Sequence, residues 1–277
     1  MIRNISDTAL WAAIYRARES ERKDALFQDP FARRLAGERG EEIAKAMLVP
    51  ERHAWSFVVR TLLFDQIVMR EVGRGVDTVL NLAAGLDARP YRLELPASLR
   101  WVEVDLPGLL EYKQPLLDGE RPGCVLERFP LDLSDPAARR RLFGDLGLRA
   151  RDALVLSEGL LVYLTADEVG SLAGDLAAAG GFRRWALDLM SPGLLRMLQK
   201  RIGGKLAAGG APLKFGPEEG PGFFAPHGWK PVEVHSMLKA AARLGRLPFW
   251  LRLLAMLPES TGPQGSRPWS GVCLLGR

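Results

Sequence analysis

Residues 76–87 read VDTVLNLAAGLD. The apolar run from Thr78 to Ala83 passes directly into the small residues Ala84 and Gly85, with Asp87 and Arg89 flanking the turn that follows. A short strand without polar alternation, closed by a tight small-residue turn, is the opening unit of a parallel α/β sheet covered on both faces. Small side chains there let the backbone come close to a ligand, although tight strand-to-helix packing alone asks for the same residues. Gly85 is the only glycine of the turn. It is therefore not the Gly-x-Gly-x-x-Gly dinucleotide fingerprint, and a pyrophosphate would lack its cradle of backbone amides.

Outward from this stretch the same texture repeats. Further strands are predicted at Trp101 to Val104, Val125 to Leu131, Ala153 to Ser157 and Trp185 to Leu189, with spacers that suit crossover helices. Thr165-Ala166-Asp167-Glu168 has the form of a capping box and so starts one of them. Lys230 to Val234 and Val272 to Leu275 complete an expected seven strands. Ahead of the sheet, three helices are predicted: Thr8 to Arg22, a second opened by Asp29-Pro30 and running to Met47, and a third from Pro50 to Glu71 with a wide apolar stripe. Residues 192–228 crowd glycines and prolines together, which predicts a surface insertion or lid without long regular elements. One domain is expected, with a helical cap (1–75), a core (76–191), the insertion (192–228) and terminal strands and helix (229–277).

Composition narrows the function classes. The 277 residues are 47% hydrophobic and 26% charged, enough for a large core and unlike a disordered chain. Cys124 and Cys273 lie far apart, and His53, His227 and His235 form no ligand spacing with them, so neither a disulfide framework nor a metal site is expected. The N-terminal twenty residues carry charge throughout and show no signal-peptide core, which points to the reducing cytoplasm. The apolar run from Leu247 to Leu257 is interrupted by Arg252 and falls short of the roughly 20 residues a bilayer span needs. It reads as core packing, an apolar acceptor wall or a dimer face, and no membrane partner is expected. A net charge of +5 arises from 38 basic and 33 acidic residues of interleaved sign. The knot Arg139-Arg140-Arg141 accordingly reads as a solvated helix face, and no nucleic-acid partner is expected.

Four pieces fall at the carboxyl ends of consecutive predicted strands, where an open parallel sheet presents its ligand crevice. The turn at Ala83-Ala84-Gly85 is the first. Asp105 ends the second strand twenty residues beyond Gly85, the interval at which a carboxylate meets the two hydroxyls of a ribose; its other reading is the cap of the helix after Pro107. Asp132 and Leu133 close the third strand, as adenine-side contacts or as the start of a turn toward Pro136. Glu158 closes the fourth, where burial demands a cationic partner, either a ligand or an arginine.

Together with Thr8-Ala9-Leu10-Trp11, Arg16-Ala17-Arg18-Glu19-Ser20, Asp29-Pro30-Phe31 and Ser157-Glu158-Gly159-Leu160-Leu161-Val162-Tyr163-Leu164, these motifs resemble the leucine carboxyl methyltransferase family and its bacterial relatives. The resemblance covers roughly residues 8 to 170. It implies an α/β class I methyltransferase fold, Rossmann-like, with a seven-stranded mostly parallel sheet, and S-adenosyl-L-methionine as cofactor with S-adenosyl-L-homocysteine as product. Residue by residue it implies that Arg60 reaches the methionine carboxylate, Gly85 lies against the methionine part, Asp105 takes the ribose, Asp132 and Leu133 the adenine side, and Glu158 the methionine end. Leu106 and Gly159 adjoin the same set, and Arg16 lies near the place of a basic residue on the family's first helix. One departure is visible: the usual Gly-Ala-Gly reads Ala83-Ala84-Gly85, which adds a methyl where the backbone meets the cofactor.

The implied reaction is in-line attack of an acceptor oxygen, carboxylate or hydroxyl, on the S-methyl carbon. A carboxylate needs no deprotonation near neutral pH, whereas a hydroxyl needs a base. Tyr163 is the best placed residue to touch a small-molecule or peptide acceptor, its other reading being a core tyrosine. Nucleobase amines are disfavoured, since no Asp/Asn-Pro-Pro-aromatic motif follows the fourth strand. A cofactor-binding protein without turnover is the alternative, with Ala83 as its hint.

Overall fold

Seven strands make one sheet in the computed structural model of the chain, which describes residues 2–47, 54–257, 265 and 267–277. Helices α1 (Asp7–Ser20), α2 (Ala32–Met47) and α3 (Trp55–Gly73) precede it. The alternating region then runs β1 (Thr78–Leu82), α4 (Arg89–Arg92), β2 (Arg100–Asp105), α5 (Pro107–Leu116), β3 (Val125–Pro130), α6 (Pro136–Arg149), β4 (Ala153–Ser157), α7 (Ala166–Ala178) and β5 (Phe182–Met190). Helices α8 (Pro192–Leu198) and α9 (Gly204–Ala208), strand β6 (Lys230–Ser236), helices α10 (Met237–Arg243) and α11 (Phe249–Ala255), and strand β7 (Ser270–Gly276) complete it. The order across the sheet is β3-β2-β1-β4-β5-β7-β6, with β7 antiparallel to both neighbours and the first five strands parallel.

Alternation along β1 divides the interior into two layers. Leu80 and Leu82 face α6 and α7, where Phe143, Leu172, Phe182 and Trp185 form a core. Val79 faces the other way, onto Phe64 and Ile67 of α3 and Ala240 and Ala241 of α10. A third cluster joins α1 and α2 to Leu195, Leu206 and Leu213. The expected capping box is present: the Thr165 hydroxyl accepts from the Glu168 amide at 3.3 Å, and the Glu168 carboxylate accepts from the Thr165 amide at 2.6 Å. Cys124 and Cys273 are free and buried. No helix among the described residues is long and apolar enough to cross a membrane.

Several expectations change. The second helix becomes regular at Ala32 rather than Pro30; Asp29 still caps the turn before it, its side chain accepting from the Phe31 amide and its carbonyl from the Ala32 amide, and the helix breaks at Gly37 (φ 56°). The predicted start of the third helix at Pro50, and His53, lie outside the described residues. The segment after β5 is more regular than its glycines suggested. Ser191 caps α8 by accepting from the Leu194 amide at 3.2 Å, and Pro192 occupies the first turn. The helix then continues through a π turn (Gln199–Gly203) into α9. Gly203 and Gly204 sit at that junction in helical conformation rather than breaking it, and Gly210, with φ 70°, lies just past the end of the rod. Residues 192–208 thus form a helical rod, anchored by the burial of Leu195 and Leu206. Arg139 departs from the solvated face assigned to its cluster: it is buried against Asp175 and Ser171 of α7.

Candidate active site

Strand order reverses between β1 and β4, so the connections leaving their carboxyl ends diverge to opposite sides and open a crevice. A cavity of about 1820 Å³ occupies it, and each residue expected from the sequence to contact cofactor or acceptor lines it, from Arg60 and Ala83 to Gly159 and Tyr163.

The turn after β1 forms the floor. Ala83 has φ 50°, alone among described non-glycine residues in having positive φ, and Gly85 has φ 55°. A side chain in this region strains the backbone by roughly 1–2 kcal/mol, which explains why the motif ordinarily places glycine there. A Cβ on Gly85 would stand 3.3 Å from that of Ala9, so α1 closes over the turn from outside. Asp105 locks the turn to β2. Its Oδ2 accepts from the Gly85 amide at 2.6 Å and its Oδ1 from the Leu106 amide at 2.7 Å. Asp105 is therefore not the cap of α5, whose N-cap position is Leu106. Each carboxylate oxygen has acceptor capacity beyond that one bond, and Asp105 lines the cavity. Burial pushes the Asp105 carboxyl above its ordinary value, against the opposing pull of the two amides.

At the end of β4 a buried ionic network replaces the single charge inferred from sequence. Glu158 lies between two arginines: Oε1 accepts from Arg60 Nε at 3.1 Å and Oε2 meets Arg89 Nη2 at 2.8 Å. Arg60 also reaches Asp188 at 3.3 Å and stacks over the Phe57 ring at 5.5 Å. Arg89 ties in Asp87 at 2.9 Å and Asp65 at 2.6 Å, and Arg92 joins Asp65 at 2.6 Å. Burial works to raise the Glu158 carboxyl, but Arg89 and Arg60 outweigh it and hold the group below its usual range. Asp188 goes the other way, burial raising it above normal despite Arg60 and the Gly159 amide, which donates to its Oδ1 at 2.6 Å. Gly159 has φ 69°, and a Cβ there would press on Arg60 Nη1 at 3.2 Å. The demand that Glu158 find a cation is thus met by protein arginines.

The remaining walls come from three sides. Asp132 Oδ1 accepts from the Ser134 amide at 2.8 Å, the turn contact anticipated as its second reading, while the residue stays exposed to the cavity. The Leu133 carbonyl is fixed by Arg139 Nη1 at 2.9 Å. Tyr163 stands beside Thr8, and burial raises its phenol while a hydrogen bond with Thr8 and the charge of Arg60 oppose the rise. Arg16 donates to Asp29 at 2.9 Å and to the Leu86 carbonyl at 2.6 Å, so it braces the first turn.

Asp188, Asp65 and Asn81, which donates to Asp87 at 2.8 Å, were not anticipated. The signal existed for the two acids. Asp188 interrupts Trp185-Ala186-Leu187 and Leu189, and Asp65 interrupts the apolar stripe of α3, so the burial argument applied to Glu158 reaches both.

Known proteins resemble this chain in sequence and in fold. The leucine carboxyl methyltransferase family pattern matches residues 9–177. The chain belongs to the leucine carboxyl methyltransferase family. A Streptomyces coelicolor protein named as a candidate S-adenosyl-L-methionine-dependent methyltransferase is 33% identical over 93% of this chain and 90% of its own. A Frankia alni protein of the same description is 36% identical over 86% and 88%. Among solved structures, a DUF574 family protein of Streptomyces avermitilis superposes with TM-score 0.59 at 16% identity, covering 96% of both chains. Magnesium protoporphyrin IX methyltransferase of Synechocystis, solved with bound S-adenosylhomocysteine, superposes with TM-score 0.51 at 14% identity, covering 86% of this chain and 94% of that one. At such identities the superpositions speak to the fold alone.

As a member of this family the chain is an S-adenosylmethionine-dependent methyltransferase. The crevice suits that donor chemically. It provides a buried carboxylate, Asp105, and a wall that pairs apolar Leu133 with acidic Asp132. The network at the other end sets four arginines (16, 60, 89 and 92) against five carboxylates (29, 65, 87, 158 and 188), an acidic surplus suited to a ligand carrying sulfonium and ammonium.

Proposed function

We propose that the methyl group goes to an oxygen of the acceptor, and to a carboxylate in preference to a hydroxyl. Bound S-adenosylmethionine supplies a methyl group already activated on a sulfonium, with a neutral thioether as leaving group. In this reading Asp105 holds the ribose hydroxyls, Leu106, Asp132 and Leu133 border the adenine, and Gly85 lies along the methionine chain above Ala83. Arg60 faces the methionine carboxylate through Nη2, which neither Glu158 nor Asp188 engages, and Gly159 leaves room for it.

The observation that carries the carboxylate preference is that, among the described residues, no uncommitted proton acceptor stands at the methyl-donor end. Tyr163 is held neutral by burial, and Glu158 and Asp188 are committed to Arg60, Arg89 and the Gly159 amide. Of the histidines among the described residues, His227 packs against Gly170 and His235 pairs with Glu233 on β6; neither lines the cavity. A nucleophile that arrives already anionic suits such a site, and alignment with exclusion of water then supplies most of the rate.

The test offers a carboxylic acid and the alcohol of the same skeleton with methyl-labelled donor. A base-labile methyl ester, formed at a kcat/KM nearly flat from about pH 6 to 9, is expected, since an acid of ordinary pKa is fully ionised over that range. A methyl ether or N-methyl product overturns the reading. Cofactor binding with no product from any oxygen acceptor would instead favour a non-catalytic relative, the reading to which the Ala83 methyl lends its support.

A further inference from the structure

The cavity is larger than its donor. Sites for cofactors and drug-sized ligands span roughly 300–1,000 Å³, whereas this one measures about 1820 Å³ and continues past the ionic network without a partition. Beyond the strand ends its wall includes the rod formed by residues 192–208, with Trp250, Leu251 and Leu254 of α11 also lining it. Leu195 and Leu206 fix the rod to the cluster shared with α1 and α2. Leu194, Met197, Leu198 and Ile202 line the cavity at helical spacing, and all four are only half-buried. The π turn at Gln199–Gly203 falls between Leu198 and the end of this face, a device found often where helices border functional sites. Phe57 and Tyr163 line the same cavity. Of the two cations on the same face, Lys205 is tied to the Ala46 carbonyl at 2.7 Å and Arg201 is exposed.

Four half-covered apolar side chains along one helix face, contiguous with the methyl-donor crevice, need an apolar occupant to complete their burial. We infer that the methyl acceptor is a free small molecule with a bulky apolar body, which lies along the 192–208 rod and presents its oxygen-bearing end beside Tyr163. The inference rests on the oxygen-methylation reading and adds the acceptor's chemical class to it. Flexible Met197 suits such a body, since an unbranched thioether adapts to irregular shapes.

The test uses straight-chain saturated carboxylic acids of increasing length as probes, titrated calorimetrically into the full chain saturated with S-adenosylhomocysteine. Affinity should rise about fourfold for each added methylene until the lobe is filled, the increment of a buried CH₂. Ile202→Trp, which fills the lobe, should weaken the longest acids at least about tenfold, and Met197→Asn should flatten the length dependence. Both variants should bind S-adenosylhomocysteine within about twofold of the parent, which also reports that they fold. Affinity independent of chain length with S-adenosylhomocysteine binding intact, or better binding of a polar tetrapeptide acid than of the long-chain acids, overturns the apolar acceptor while leaving methyl transfer standing. Failure of S-adenosylhomocysteine to bind the parent overturns the cofactor reading and this inference with it.

Discussion

Ala83 and Asp87 bracket the first turn and bear opposite kinds of stress. Ala83 holds a left-handed backbone conformation that glycine adopts without strain. Ala83→Gly should therefore stabilise the protein by up to about 1 kcal/mol, less whatever the unfolded glycine gains in entropy. A urea midpoint lower than that of the parent would show that the methyl contributes packing instead. Asp87 is a buried acid whose desolvation is outweighed by Arg89, Lys113, Arg92 and Arg16, which hold its carboxyl at about 2 instead of 3.8. Between these values the unfolded chain binds more protons than the folded one, so the contribution is complete above about pH 4 and disappears as the pH falls through 2. Asp87→Asn should cost on the order of 2 kcal/mol at neutral pH, with the gap to the parent closing toward pH 2. Urea denaturation at a series of pH values measures it, and a gap of constant size would contradict the assignment. Asp87 was visible in the sequence as a flank of the turn. Its ion pairing was not, because Asp65 and Glu158 converge on Arg89 only once α3 and β4 have been placed.

Arg89 makes the ionic network a device of whole elements. It joins Asp65 and the Thr61 carbonyl of α3, Asp87 after β1 and Glu158 after β4, so one side chain sets the spacing of the cap helix from two strand ends. Arg89→Leu removes a cation from three carboxylates, of which Asp65 keeps Arg92 and Glu158 keeps Arg60, and leaves buried Asp87 with no arginine partner among the described residues. A loss of about 3–5 kcal/mol is expected, the cost of breaking a buried pair from one side; a change in chemical denaturation below about 1 kcal/mol would mean that water already reaches the network. Strands were the most legible elements: Ala153–Ser157 lies where periodicity predicts it, and the other core strands differ only at their ends. A two-sided buried strand needs an unbroken apolar run, and such a run is local information. The 192–208 rod was illegible for the converse reason. Its glycines argue against a helix locally, and the burial of Leu195 and Leu206 against α1 and α2, which overrides them, is tertiary. Arg139 was misplaced likewise, since its partners Asp175 and Ser171 belong to α7.

At the scale of the molecule, two of the three apolar clusters sandwich the sheet and the third attaches the cap and the 192–208 rod over its carboxyl edge. Chemistry is thereby divided by location within one cavity: strand ends carry the acids, the cap adds Arg60, and the rod supplies an apolar wall. The order of the strand-end motifs made this crevice readable from sequence, whereas the helical form of the wall at residues 192–208, set by contacts with α1 and α2, emerged only with the fold. The central claim is that Asp105 grips the sugar of the methyl donor while it closes the Gly85 turn. Calorimetric titration of S-adenosylhomocysteine into the parent and Asp105→Ala tests it. Binding weakened about 10- to 100-fold in the variant, the loss of one to two charge-assisted hydrogen bonds, is the predicted result; equal affinity in both proteins would contradict the account.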